Sequence, residues 1–369
     1  MSLRHLLPPW LASLMPYQPG KPVEEVEREY GIRDSIKLAS NENPLGPSPK
    51  AVAALRQAAA GVHRYPDGGC YYLNEKIAAK LGVSTDRVLL TNGSNEVLEL
   101  LARLFLRPGD DAVMSDQAFV VYASVVQAAA GIPRPVPLRD FTHDLESMAA
   151  AVRPSTRIVY LGNPNNPTGT IYRRQAFEKL LRSIRKDVVI VADEAYFEYV
   201  EDPDYPDSLR YQEPGRLLVT VRTFSKIYGL AGLRIGYGVA PAELNAALDR
   251  IRQPFNVNSL AQAGALAALD DDEHVERSRR VNREGKRFLA AELDAMGIAY
   301  VPTEANFVLV RVGDGAGVCE ALLREGVIVR PMGGYGFPEH VRVTIGTESE
   351  NRRFLASLRK VLAAMPAGS

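Results

Sequence analysis

Val188-Val189-Ile190-Val191-Ala192-Asp193-Glu194-Ala195-Tyr196 is the stretch from which the fold of this chain follows. Five consecutive apolar residues, four of them β-branched, form a run too short for a helix and suited to a strand of a buried parallel sheet. Asp193 ends that strand with a carboxylate, which is costly to bury without a partner. Taken alone, the segment leaves three roles open for Asp193: cap of the next helix, ligand of Mg²⁺, or counter-charge for a bound cationic group. No G-x-x-x-x-G-K-S/T loop accompanies it, which argues against the nucleotide-binding alternative.

Outward from this strand, short apolar runs alternate with helical patterns, the mark of an α/β fold with a mostly parallel central sheet flanked by helices. Expected strands are 88–91, 112–115, 157–162, 188–193, 217–221 and 235–239. Ser48, Pro49 and Gly61 punctuate a helix over 48–61 as N-cap, first-turn proline and stop. Val97, Leu98, Leu101, Leu104 and Phe105 mark the apolar face of another over 95–106. Past about 250 the pattern changes to a charged helix over 270–296, a strand at 306–312, a helix at 317–325 and a strand at 341–345, which outlines a smaller α+β domain. Arg277, Arg279, Arg280, Arg283 and Lys286 on the charged helix are expected to form a solvated face. The resulting division is 1–44 as an N-terminal arm and part of the small domain, 45–250 as the large domain, and 251–369 as the small C-terminal domain.

Lys plus Arg and Asp plus Glu number 44 each among 369 residues, so no net field favours nucleic acid or a membrane surface. Anion recognition has to be local. Cys70 and Cys319 form no C-x-x-C pair and are expected to be buried thiols in a reducing cytoplasm, with no metal site. Pro8, Pro9 and Pro16 break up the apolar N-terminal stretch before a signal-peptide core forms, and no later apolar run is long enough to span a bilayer.

Three further segments carry candidate chemistry. Thr223-Phe224-Ser225-Lys226 follows a strand and is followed by Gly232-Leu233-Arg234, placing hydroxyls, an amine and a guanidinium where open α/β sheets bind ligands. A lysine near other cations in a partly desolvated site loses its proton readily enough to attack a carbonyl, and Arg234 with Thr223 or Ser225 suits a phosphate. By itself the lysine reads more readily as an ordinary surface residue. Asn163-Pro164-Asn165-Asn166-Pro167-Thr168-Gly169 is either a rigid turn or a mount for the Asn166 amide. Thr91-Asn92-Gly93-Ser94-Asn95-Glu96 opens a helix, either simply capping it or turning the amides of Ser94 and Asn95 toward an anion.

In this order, the four segments resemble the fold type I pyridoxal-phosphate aminotransferases, from Ser40-Asn41-Glu42-Asn43-Pro44 to Arg342-Val343-Thr344-Ile345-Gly346. Within them, N-E-N-P, Arg64-Tyr65-Pro66, N-P-N-N-P-T-G, D-E-A-Y, T-F-S-K and R-V-T-I-G are most similar to the histidinol-phosphate aminotransferases. The resemblance implies that Lys226 binds pyridoxal 5'-phosphate as a Schiff base and then shuttles the substrate proton. It implies that Asp193 pairs with the pyridine nitrogen, Tyr196 and Asn166 with the phenolic oxygen, and that Phe119 stacks on the ring where many relatives have Tyr. Ser94, Asn95, Thr223, Ser225 and Arg234 are implied to cradle the phosphate. Tyr65 is implied to reach the phosphate of the neighbouring subunit, so that the partner is a second copy in a homodimer with shared sites.

The implied substrate clamp is Arg342, which matches the family's carboxylate-binding arginine, with Arg330 and Tyr17 beside it and Asn166 within reach of the substrate. Two arginines can neutralise a phosphate monoester in one half-reaction and accept a carboxylate in the other. Arg330 reads otherwise as a surface ion-pair residue, and Gly333-Gly334-Tyr335-Gly336 between them as a flexible segment or an ordinary hairpin. The expected reaction is transamination of histidinol phosphate, a small-molecule amino donor, with the acceptor 2-oxoglutarate. Aromatic amino-acid aminotransferase, phosphothreonine decarboxylase and non-catalytic regulator are the alternatives, since fold alone separates none of them. The last needs a DNA-binding module for which the residues before Asn41 are too few and too rich in proline.

Overall fold

The computed structural model describes residues 6–16 and 20–365. After a short strand β1 (Ile36–Lys37), seven strands build the large sheet: β2 (Val88–Thr91), β3 (Asp111–Ser115), β4 (Ile132–Val136), β5 (Thr156–Gly162), β6 (Val189–Asp193), β7 (Leu218–Thr223) and β8 (Gly236–Val239). Their order is β2-β8-β7-β6-β5-β3-β4. β8 runs antiparallel to both neighbours and every other pair is parallel. All six expected strands form. β4 was not expected, because its sequence Ile-Pro-Arg-Pro-Val has two residues without a backbone donor; it survives by sitting at the sheet's edge, where one side needs no ladder.

Alternation explains why the deciding stretch is apolar throughout. Val189 and Val191 pack on one face with Leu98 and Leu101, while Ile190 and Ala192 pack on the other with Phe177 and Leu180. Helices over Ser94–Phe105 and Arg174–Ser183 cover those faces. Ser48 caps its helix as expected, accepting from the amides of Lys50 and Ala51 with Pro49 in the first turn.

A second sheet contains β9 (Tyr300–Val301), β10 (Phe307–Arg311), β12 (Arg330–Pro331) and β13 (His340–Thr344) in the antiparallel order β12-β13-β10-β9. β1 pairs instead with β11 (Val327–Ile328), in parallel. Leu38, just past β1, shares an apolar core with Leu289, Val310, Val343 and Phe354, so the early chain packs with the late chain. Gly333–Tyr335 forms one 3-10 turn between β12 and β13, with Tyr335 buried.

The charged helix spans Asp272–Ala295, and one expectation about it needs correction. His274, Ser278, Asn282, Gly285, Leu289 and Leu293 form its buried stripe. The flanks of that stripe are not simply solvated. Arg279 donates to the carbonyl of Glu198 at 2.6 Å, Arg283 pairs with Glu201, and Lys286 donates to the carbonyl of Thr303 at 3.5 Å. Cationic residues bordering the stripe meet carbonyls and acids of the segments the helix lies against. Cys70 and Cys319 are buried free thiols, as expected. Among the described residues no helix is long and apolar enough to cross a membrane.

Candidate active site

Strand register lines up the chemistry. Thr91 and Thr223 both pair with Gly236, Val221 pairs with Asp193, and Asp193 pairs with Gly162. The strand ends therefore open side by side into a cavity of about 410 Å³. Ser94, Asn95, Phe119, Asn166, Asp193, Tyr196, Thr223, Ser225, Lys226, Arg234 and Arg342, all singled out from sequence, line it together.

At its floor, Asp193 is 6% exposed. Tyr122 Oη donates to its Oδ2 at 2.8 Å and the Ala195 amide to Oδ1 at 3.3 Å. Burial raises this carboxyl to about 6, while those two donors hold it down. A protonated ring nitrogen opposite Asp193 would supply the counter-charge its burial calls for, which is how the expected cofactor fits here. Phe119 packs edge-on against Tyr122 with centroids 5.7 Å apart.

One end of the cavity is an anion cradle. Gly93, at φ +76°, precedes the helix that starts at Ser94, and a Cβ there would lie 2.3 Å from the Arg234 guanidinium. A Cβ at Gly236 would lie 2.5 Å from the Ser94 nitrogen. Only glycine permits both approaches, so backbone amides and guanidinium converge on one spot. Arg234 itself adopts φ +57°, a conformation side chains other than glycine rarely take. Its Nη1 donates to Ser225 Oγ at 3.4 Å, and Ser225 Oγ in turn accepts from Thr223 Oγ1 at 3.0 Å. Hydroxyls, helix amides and one arginine make a site that a phosphate monoester fits.

Lys226 stands between floor and cradle, its Nζ donating to the Ser40 carbonyl at 3.2 Å. Desolvation first, then the charges of Arg342 and Arg234, lower its ammonium to about 8, against the opposing pull of Glu42 and Asp193. A usable fraction of neutral amine follows near neutral pH. Tyr196 is buried, accepts from Asn41 Nδ2 at 2.9 Å, and is pushed up to about 12, chiefly by desolvation. It is therefore a proton donor near neutrality.

The Asn163–Pro167 turn, with cis bonds at Asn163-Pro164 and Asn166-Pro167, presents Asn166 to Arg342. Arg342 Nη1 donates to Asn166 Oδ1 at 2.5 Å and its Nη2 to the Ala39 carbonyl at 2.8 Å, leaving the Asn166 amide nitrogen as a donor. Arg330 lies directly opposite Arg342 in the β12–β13 register, hence on the same face of the sheet. It does not itself line the cavity. Tyr65 does not line it either; it is 83% exposed and stacks on Phe255 at 4.8 Å. Tyr17 lies outside the described residues.

Several lining residues had no role assigned from sequence. Asn41 and Glu42 belong to a motif already noted, so their place in it was the available signal. Tyr122 had none: it sits within an apolar helix and meets Asp193 only through the fold. Tyr335, in the glycine-rich turn, is similar.

The family model for aminotransferase class I and II matches residues 33–358. A histidinol-phosphate aminotransferase of Moorella thermoacetica is 51% identical, over 96% of this chain and 92% of that protein. Histidinol-phosphate aminotransferase 1 of Nitrosococcus oceani is 50% identical over 95% of each. Among solved structures, a histidinol-phosphate aminotransferase of Sinorhizobium meliloti in complex with pyridoxal-5'-phosphate superposes with a TM-score of 0.90 at 27% identity, covering 98% of both chains. An aspartate aminotransferase of Thermotoga maritima reaches 0.85 at 26% identity, covering 97% of this chain and 100% of that one. The backbone alone therefore does not distinguish the amino donor.

Proposed function

The chain belongs to the class I and II aminotransferases, and from that premise we propose that it transfers the amino group of histidinol phosphate to 2-oxoglutarate, as a step of histidine biosynthesis. It is a pyridoxal-phosphate-dependent enzyme. Bound pyridoxal phosphate supplies an electron sink that stabilises negative charge at the substrate's α-carbon.

The protein's residues do the rest. Lys226, whose amine lines the cavity, would hold the cofactor and would be the group that moves the proton at the substrate's α-carbon. Asp193, with Tyr122 and the Ala195 amide donating to its carboxylate at the floor, would pair with the ring nitrogen and favour its protonated form. Tyr196, oriented by Asn41, and Asn166, oriented by Arg342, donate to the ring oxygen. Ser94, Asn95, Thr223, Ser225 and Arg234 hold the phosphate, and Phe119 covers the ring.

The substrate assignment is carried by the placement of Arg330 directly opposite Arg342. Two guanidiniums on one sheet face match a phosphate monoester, which carries up to two charges, better than a single carboxylate. The half-identical relatives named for histidinol phosphate support the same assignment. We place Tyr17 with this clamp. Steady-state kinetics with histidinol phosphate against phenylalanine, both with 2-oxoglutarate, test it: kcat/KM is expected to be larger for histidinol phosphate. A larger value for phenylalanine would replace the substrate and leave the cofactor chemistry standing.

We further propose a homodimer in which Tyr65 completes the neighbour's phosphate cradle. Support comes from the exposure of Tyr65, stacked on the exposed Phe255, and of Tyr71 and Tyr72 in edge contact with each other, large rings that a partner surface would cover. For the proposed division at 45–250 and 251–369, with 1–44 joining the smaller part, the separate seven- and four-stranded sheets and the packing of Leu38 with the late chain support two parts, while Val257, Ala261 and Ala265 share a core with Ala51 and Ile77 of the larger one. The buried free thiols support a cytoplasmic location.

A further inference from the structure

We infer that Glu42 recognises the imidazole ring of the substrate and makes this site favour an imidazole-bearing amine phosphate over its phenyl counterpart; the inference rests on the substrate assignment above. Two carboxylates line the cavity among the described residues, Asp193 and Glu42. Asp193 is committed to Tyr122 and the Ala195 amide at the floor. Glu42 sits at the mouth with its side chain 43% exposed, and Lys37 donates to its Oε1 at 2.9 Å. Its Oε2 has no hydrogen-bond partner among the described residues and remains an open acceptor on a residue that lines the cavity.

The loop carrying Glu42 is held firmly. Asn41 and Asn43 on either side are buried. Asn41 donates to Tyr196 Oη at 2.9 Å, and Asn43 donates to the carbonyl of Ile227, next to Lys226, at 2.7 Å. The Ser40 carbonyl takes the Lys226 amine. Glu42 is thereby fixed relative to the atom at which chemistry occurs, and such preorganisation is what lets a polar contact discriminate.

Charge complementarity names the occupant. Arg342, Arg234 and Lys226 serve the anionic parts of cofactor and substrate, and a carboxylate serves none of those. It favours an N–H donor on the substrate side chain, which an imidazole supplies in either protonation state. A phenyl ring offers no such donor and leaves the acceptor unpaired against carbon.

The holoenzyme is assayed with histidinol phosphate, with phenylalaninol phosphate, which keeps amine and phosphate but replaces imidazole by phenyl, and with glutamate. Wild type is expected to favour histidinol phosphate over the phenyl analogue by about ten- to hundred-fold in kcat/KM, the range for a hydrogen bond to a charged group. In Glu42→Ala that ratio falls to within about three-fold of one, and glutamate loses less than histidinol phosphate does. The visible cofactor band reports that the variant stays loaded. A wild-type ratio near one, a ratio unchanged in Glu42→Ala, or equal losses for all three substrates overturns the inference; equal losses would mean that Glu42 acts through Lys226. If wild type does not turn over histidinol phosphate at all, the substrate assignment falls and takes this inference with it.

Discussion

Tyr122 donates its hydroxyl proton to Oδ2 of Asp193 across 2.8 Å, with both side chains buried beneath the cavity. Tyr122 is itself packed face to face on Tyr160, with centroids 5.1 Å apart, so the donor has little freedom to leave. A buried carboxylate that is to remain charged depends on such donors, because burial alone pushes it toward the neutral acid.

Tyr122→Phe removes the donor and keeps the ring. Without it the Asp193 carboxyl, already raised to about 6, rises further, so less of it is anionic at neutral pH. We expect kcat to fall by about ten-fold, in line with about 1.5–3 kcal/mol for a hydrogen bond to a charged group. The acid limb of the kcat–pH profile should move to higher pH. A profile that stays in place would reduce Tyr122 to a packing role.

Lys226→Ala should abolish the covalent cofactor absorbance while leaving the far-ultraviolet circular dichroism unchanged. Loss of the proton-transfer group alone is worth about 10²–10⁴ in rate. Turnover near the wild-type rate would remove Lys226 from the mechanism.

The same lysine sets a pH dependence. Its ammonium is lowered to about 8, and only the neutral amine attacks a carbonyl, so covalent loading of apoprotein should speed up as pH rises through about 8. Arg342 contributes to that lowering, so Arg342→Gln should shift the midpoint upward. Stopped-flow absorbance after mixing with pyridoxal phosphate gives both midpoints. An unmoved midpoint would mean that Arg342 does not act on Lys226 through its charge.

Arg330→Ala should cost about ten- to hundred-fold in kcat/KM for histidinol phosphate and clearly less for glutamate, since a charge-assisted contact to phosphate is lost in only one half-reaction. Equal losses in both would show that Arg330 does not discriminate the phosphate.

Gly93→Ala places a Cβ 2.3 Å from the Arg234 guanidinium at a backbone φ of +76°. Strain of this kind costs about 1–3 kcal/mol, so the Kd for pyridoxal phosphate should rise by about five- to hundred-fold, measured by fluorescence titration of apoprotein. An unchanged Kd would show that the cradle tolerates a displaced Arg234.

Much of the site was legible because its parts lie where local rules apply. Asp193 ends an apolar strand, Lys226 follows another, and Gly93 precedes a helix, so each reveals its position through periodicity or turn chemistry within a few residues. β4 was missed for the converse reason: its prolines argue locally against a strand, and only its edge position makes them harmless. The charged helix shows the same limit, since the partners of Arg279 and Arg283 lie 81 and 82 residues away.

Sequence by itself determined the mostly parallel α/β sheet, the lysine and carboxylate at its strand ends, and the family to which both belong, because strand period, buried apolar runs and helix starts are encoded over short spans. Tertiary structure alone decided which donors surround each of these groups. Tyr122 reaches Asp193 from 71 positions away, Asn41 reaches Tyr196 across 155, and Arg342 reaches Asn166 across 176. Such contacts have no local signature, since they depend on where a chain closes on itself. They nevertheless set the charge on Asp193, the orientation of Tyr196 and the aim of Asn166.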